Sequence, residues 1–276
     1  MKRREFIKSS VAASTITAMS LETFNVNAAE RNPSGTQEFY ELRAYRLKSG
    51  ANFNLLEAYL EHAAIPGYNK LGIKPVGVFK QMERPSSPAP TEAGDANSLF
   101  VLLPYPSLES FSTAAARLYG DETFQQAGSE YLKSAKSNPA FERIDSWLLQ
   151  AFAGMPKLEQ PVYSREKKAR IFELRTYSSH SELKALKKVE MFNSGEIEVM
   201  HEVGLGPVFF GQALIGPGLP HLTYMLSAEN EEAHKKHFAA FGKHPTWNKL
   251  KNDRQYDDTV SKIVSRFLAP TSYSEI

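Results

Sequence analysis

With 42% apolar and 23% charged residues among its 276, the chain has the make-up of an ordinary soluble globular protein. That length allows two small domains of about 100 residues, each with its own core. The formal charge of +2 sits wholly in the first 28 residues, where Lys2, Arg3, Arg4 and Lys8 outnumber Glu5 and Glu22; the balanced remainder excludes a general nucleic-acid or anionic-membrane binder. There is no cysteine, which excludes disulfides, thiolate catalysis and thiolate-held metals.

The N-terminus reads as a targeting segment. Arg3 to Lys8 (RREFIK) precedes a mildly apolar run rich in Ser, Thr and Ala, then Val26-Asn27-Ala28 ahead of Ala29. Positive flank, apolar stretch and small-residue cleavage site are the parts of a secretory signal. The paired arginines with Phe6 and Lys8 beyond them resemble the twin-arginine type. Residues 1–28 are therefore expected to direct export to the periplasm or the exterior, and residues 29–37 to be a flexible lead-in. No later run approaches the ~20 apolar residues of a membrane span, so no integral membrane segment is expected.

The first predicted strand is FYELRAYRL, Phe39 to Leu47, followed by a turn at Ser49-Gly50. Phe53, Leu56, Leu60 and Ala64 then fall at helical spacing, and Pro66-Gly67 is expected to interrupt that helix. Val76 to Met82 predicts a second strand, Arg84 to Asn97 a Pro/Ser-rich loop, and Leu99 to Leu103 an apolar, central third strand. A second helix carries Leu108, Phe111, Ala115 and Leu118 on one face, and Ile144 to Phe152 closes the unit as a strand. After a linker, 153–169, the order repeats: a strand from Ile171, a helix from Ser181, strands at Val208 and at Leu222 to Leu226, a helix capped by Asn230, and a strand from Lys262 to Leu268.

The repetition extends to residues. Shifting IFELRTYSS (Ile171 to Ser179) by 132 sets Glu173 on Glu41, Arg175 on Arg43 and Tyr177 on Tyr45, and Gly204 and Pro207 on Gly72 and Pro75. Beyond the second copy's shorter loop at Ile215 to Pro220 the shift becomes 123, with Leu226 on Leu103 and His234 on Phe111. Two copies of β-α-β-β-α-β, 38–152 and 170–270, predict an α+β protein of two tandem ferredoxin-like units that close into an intrachain pseudo-dimeric α+β barrel. Leu42 and Leu174 are expected to face the helices. Glu41, Arg43, Tyr45, Glu173, Arg175 and Tyr177 then point to the opposite face, between the halves.

The ELRxY strand, the Gly-x-x-Pro segment before the second strand and FGKHPTW (Phe241 to Trp247) together resemble the NIPSNAP family. That family is similar in fold to the dimeric α+β barrels that include antibiotic-biosynthesis monooxygenase-like proteins. The first half departs from the pattern, with Gly120 to Phe124 where the second has Lys243 to Trp247. The resemblance implies a fold and a habit of pairing; the family brings no general reaction and no agreed catalytic residues.

The Glu/Arg/Tyr face has two readings. Its arginines could hold an anionic small molecule while the tyrosines pack on it, or the Glu–Arg pairs could fix how the halves dock. His221, in a hairpin, and Tyr224 join the candidate ligand-binding set. His234, His237 and His244 have spacings found in metal sites, but His234 replaces Phe111 on an apolar stripe, so a backbone-bonded core histidine is expected rather than a ligand. His201 beside Glu202 reads as a helix-end cation. Neither a phosphate loop, nor GxSxG, nor HExxH occurs, and Ile215 to Pro220 reads as a plain turn. Trp147 and Trp247 read as core rather than as haem or flavin contacts. The sequence thus predicts no cofactor and no metal. It predicts an exported protein that binds a small molecule or a partner and could form homo-oligomers. The alternative is a cofactor-independent monooxygenase-like enzyme acting on an aromatic or polyketide-like substrate.

Overall fold

Eight strands, each antiparallel to both neighbours, close into one barrel in the order β1-β3-β2-β8-β5-β7-β6-β4. The structure, a computed structural model, describes residues 37–47, 52–82 and 98–276. The signal-like segment, the lead-in as far as residue 36, the Ser49-Gly50 turn and the 84–97 loop lie outside the described residues. The strands are β1 (Phe39–Arg46), β2 (Gly77–Gln81), β3 (Ser98–Tyr105) and β4 (Arg143–Ala151), then β5 (Ile171–Ser178), β6 (Pro207–Ile215), β7 (His221–Ala228) and β8 (Lys262–Pro270). Each repeat supplies a four-stranded sheet, and the sheets join where β2 meets β8 and β4 meets β6. At the second junction Gly211 lets the strands approach: a Cβ there would lie 2.7 Å from that of Leu149.

In the first repeat α1 (Phe53–Tyr59) runs through a π-helical turn (Leu60–Ala64) into α2 (Ile65–Lys70), followed after β3 by α3 (Leu108–Tyr119), α4 (Glu122–Ala127) and α5 (Ser129–Leu132). The short α6 (Val162–Arg165) lies between the repeats. The second repeat has α7 (Glu182–Met191), a π-turn at Phe192–Glu196, α8 (Ile197–Glu202), α9 (Glu231–Lys243) and α10 (Pro245–Lys251). The two π-turns fall 132 residues apart, so the repeats share even this irregularity. Ser107 and Asn230 cap α3 and α9 by accepting from the backbone N–H three residues on.

Two local expectations are corrected. Pro66-Gly67 does not end the first helix: the π-turn shifts the hydrogen-bond register there, and the helix continues to Lys70. Gly67 instead serves packing, since a Cβ would stand 2.7 Å from Leu118 Cδ2. On α3 the buried residues are Ala114 and Leu118, while Leu108 and Ala115 face solvent, a stripe rotated from the predicted one.

The larger correction concerns which strand face is which. Leu42 and Leu174 point into the barrel lumen, packed with Phe79, Phe100, Phe172 and Phe209. Glu41, Arg43 and Tyr45, with Glu173, Arg175 and Tyr177, lie under the helices of their own repeats and do not line the space between the halves. Tyr45 belongs to the first helix-side core and Tyr177 packs on the second. The physical reason is space. An eight-stranded barrel leaves room for little more than its own side chains, so apolar residues fill it. A Glu–Arg pair two apart on one strand satisfies itself and can be roofed by helices.

Candidate functional site

The predicted Glu/Arg/Tyr residues form two separate helix-side networks. In the first repeat, Glu41 accepts from Arg43 at 2.6 and 2.8 Å, from Ser146 Oγ at 2.9 Å and from Tyr105 at 3.0 Å. Burial raises the Glu41 pKa, but these donors and the Arg43 charge outweigh it and hold the group below the usual carboxylate range. The second repeat varies the theme. Glu173 accepts from Arg175 Nη1 at 2.6 Å and from Ser265, and its other oxygen lies 2.7 Å from His234 Nε2. Burial again opposes ionisation and loses to His234, Arg175 and Ser265, so Glu173 is held low and the imidazole N–H donates. The exchange follows from the repeat: Ala228 stands where the first copy has Tyr105, and His234, on α9, takes over from Tyr105.

Tyr224 donates to Tyr177 at 2.9 Å beside Arg175. Close by, Lys188 and Glu196 form a buried pair at 2.8 Å, where the first repeat has Leu56 and Ala64. With Glu41, Glu173 and Glu196 each paired to a cationic side chain of the same repeat, these residues read as docking elements for helices on sheet. His234 bonds a carboxylate rather than the backbone. His237 packs near Gly204, and His244 pairs with Glu202 at 3.0 Å, so the three histidines go to three different places. Among the described residues no group of three or more His, Cys, Asp or Glu could hold a metal ion.

The lumen holds what those networks lack, an open cavity of about 170 Å³ at the end of the barrel where β1 and β5 finish and β3, β4, β7 and β8 begin. One wall comes from the first repeat and is apolar: Leu42, Ala44, Phe100 and Trp147. The facing wall comes from the second repeat and carries Thr176, His221, Thr223, Lys262 and Arg266. Arg266 reaches across, its guanidinium carbon 5.9 Å from the Phe100 ring centre. Thr176 Oγ1 lies 3.1 Å from Thr223 Oγ1, which lies 3.3 Å from His221 Nδ1, a hydrogen-bonded chain along the wall.

His221 is only 4% exposed, yet its Nε2 has no hydrogen-bond partner of good geometry. Burial lowers its pKa below the ordinary imidazole value, with the Leu222 and Pro217 backbones opposing, so the ring is neutral at neutral pH. The turn before β7 is part of the site and not a plain connection. Pro217 and Gly218 line the cavity, and the Pro217 carbonyl accepts from Trp147 Nε1 at 2.9 Å. Gly216 (φ +142°) permits this closeness, since a Cβ would lie 2.5 Å from the indole.

Of the predicted ligand set, then, His221 alone lines the cavity; Tyr224 and the six ELRxY-type residues do not. Trp147 stands in the cavity wall, while Trp247 packs on Phe241 at 4.6 Å as core. The sequence reading missed Trp147, Lys262, Arg266 and the two threonines. A signal existed, because strand register places Trp147 opposite Leu42 and Arg266 opposite Leu174. The last strands therefore align at a shift of 119, and the earlier shifts of 132 and 123 do not bring these residues together.

Two ferredoxin-like units closed through one eight-stranded barrel, with a cavity shared between them, define a single-chain pseudo-dimeric α+β barrel protein. A model of the NIPSNAP family matches residues 40–153 and 172–275, one segment per repeat. The chain belongs to the NIPSNAP family. Among solved structures, a candidate monooxygenase from Lactobacillus acidophilus NCFM shares the fold at 10% identity, over 85% of this chain and 94% of its own, with a TM-score of 0.50. A NIPSNAP-like domain protein from Burkholderia xenovorans is 20% identical over 38% of this chain and 88% of its own, with a TM-score of 0.34. A NIPSNAP family protein from Agrobacterium tumefaciens C58 is 15% identical over 39% and 91%, with a TM-score of 0.36. No curated protein matches the chain.

Proposed function

We propose that this protein, exported by its twin-arginine-type segment, binds a small molecule in the lumen between its repeats. The observation that carries this is a cavity of about 170 Å³ shared by both halves, apolar on the side of the first and lined by Thr176, His221, Thr223, Lys262 and Arg266 on the side of the second. The concave, mainly apolar surface with a few convergent polar groups is what small-molecule recognition requires. Cavities of about 150 Å³ accept a benzene-sized ring.

A fragment screen by thermal shift and ligand-observed NMR tests the proposal, with Ala44→Leu as the control that fills the lumen. Hits are expected to lose binding in that variant while its fold is kept; hits that bind it unchanged sink the proposal. A second reading, cofactor-independent oxygenation of an aromatic substrate, draws support from a neutral imidazole, a candidate base, in the wall of a cavity that Phe100 and Trp147 also line. Oxygen uptake with a panel of phenols, measured in wild type and His221→Ala, separates catalysis from binding. Self-association, where it contributes, uses helix faces, since the closed barrel leaves the described strands no free edge.

A further inference from the structure

The lumen is built from equivalent positions of two copies, yet its walls differ in chemistry. Ala44 pairs with Phe100 in the first repeat; the equivalent Thr176 pairs with Thr223 in the second. Leu42 pairs with Trp147, and the equivalent Leu174 with Arg266. At three positions, therefore, the second copy presents a polar or charged side chain where the first presents an apolar one. The difference is confined to the lumen: at the rim Ser178, His221 and Lys262 correspond to Arg46, Ser98 and Arg143, polar or charged in both copies. Asp145 brings negative charge to this end of the lumen face, and Arg46 already holds it through Nε at 2.6 Å.

A symmetric ligand or a mere filler of space has no use for walls of opposite character. We infer that the lumen takes a single-ring aromatic carboxylate, its ring against Leu42, Phe100 and Trp147 and its carboxylate toward Arg266 and Lys262. This rests on the lumen-binding reading above and assigns its ligand class. The cavity volume suits one ring, and the open mouth lets the head group extend along the rim. A guanidinium and an ammonium supply charge-assisted hydrogen bonds to a carboxylate that a neutral amide cannot match. The Thr176–Thr223–His221 chain keeps the imidazole oriented.

The test compares benzoate with benzamide, which have nearly the same shape and differ in charge. Affinities are measured by calorimetry at low salt, up to about 10 mM as a millimolar fragment requires, and by Trp147 fluorescence in a Trp247→Phe background. Benzoate is expected to bind at least about tenfold more tightly. That preference is expected to shrink to about threefold or less in Arg266→Gln and in Lys262→Gln. Lys262 is exposed, so its variant keeps the test available if Arg266→Gln does not fold. Equal affinities overturn the carboxylate assignment and leave lumen binding standing. A benzoate preference that survives both substitutions, or binding that leaves Trp147 emission unchanged, also overturns it. Failure of both probes to bind the wild type overturns the lumen-binding proposal and this inference with it.

Discussion

The buried Lys188–Glu196 pair offers a test of which network is structural, because the first repeat shows what the same position looks like without charge. Leu56 and Ala64 occupy the matching sites and are themselves buried. Both charged side chains are almost wholly enclosed, at 5% and 2% side-chain exposure, with a 2.8 Å contact and aromatic rings of Tyr177, Phe192 and Trp247 around the ammonium. Removing one partner strands the other charge away from water, which costs about 3–5 kcal/mol. Lys188→Leu and Glu196→Ala are each expected to lose that much in guanidinium unfolding. The double variant, which copies the first repeat, removes both charges and leaves a cavity of roughly a carboxymethyl group. Such a cavity costs about 1–2 kcal/mol at ~24 cal/mol per Å³, so the double is expected within about 2 kcal/mol of wild type. The non-additivity is then above about 3 kcal/mol. Additive single effects, each below about 1 kcal/mol, would refute the reasoning. Loss of lumen ligand in the double variant would refute the separation of the two networks.

Acid should destabilise the fold in two stages. His221 has a lowered pKa in the folded state, so its contribution is present above the unfolded value near 6.5 and is lost as pH falls below it. Glu41 and Glu173, also lowered, contribute above about 4.5 and lose that as pH falls further; Glu196, raised by burial against Lys188, works in the opposite sense. Melting temperature against pH is expected to drop below pH 6.5, and the first step should vanish in His221→Asn; an unchanged profile in that variant refutes the assignment. Gly211→Ala pushes a methyl group against Leu149 across the β4–β6 junction and is expected to cost about 1–3 kcal/mol; a shift under about 0.5 kcal/mol would mean that the strands slide apart freely. Residues 1–28 fused to a reporter that requires folded export should carry it out of the cytoplasm, and Arg3→Lys with Arg4→Lys should retain it. Export of the doubly substituted fusion by the general secretory route would contradict the twin-arginine assignment.

The architecture was legible because it is periodic and local. Alternation marked the strands around FYELRAYRL and IFELRTYSS, helical spacing marked Leu56, Leu60 and Ala64, and duplication converted one unit into two. From tandem ferredoxin-like units a closed pseudo-dimeric barrel follows. The pairing of Glu41 with Arg43 and of Glu173 with Arg175 was likewise readable, since residues two apart on a strand share a side.

Which side they share was not readable. Both faces of these strands are buried, so hydrophobicity does not distinguish lumen from helix side; Glu41 is 6% exposed and Leu42 3%. The choice depends on partners far along the chain, Tyr105 and Ser146 for Glu41, His234 and Ser265 for Glu173. The cavity depends on strand register still more. Trp147 and Arg266 occupy equivalent places only because each pairs with a leucine of its own first strand, and Pro217 reaches the indole only because Gly216 allows it. The amino-acid pattern determines which segments form strands and helices and that they come twice. Barrel closure alone brings an apolar wall from one copy opposite a polar wall from the other, because neighbours across the lumen, such as Trp147 with Pro217 or Phe100 with Arg266, come from different repeats far apart along the chain.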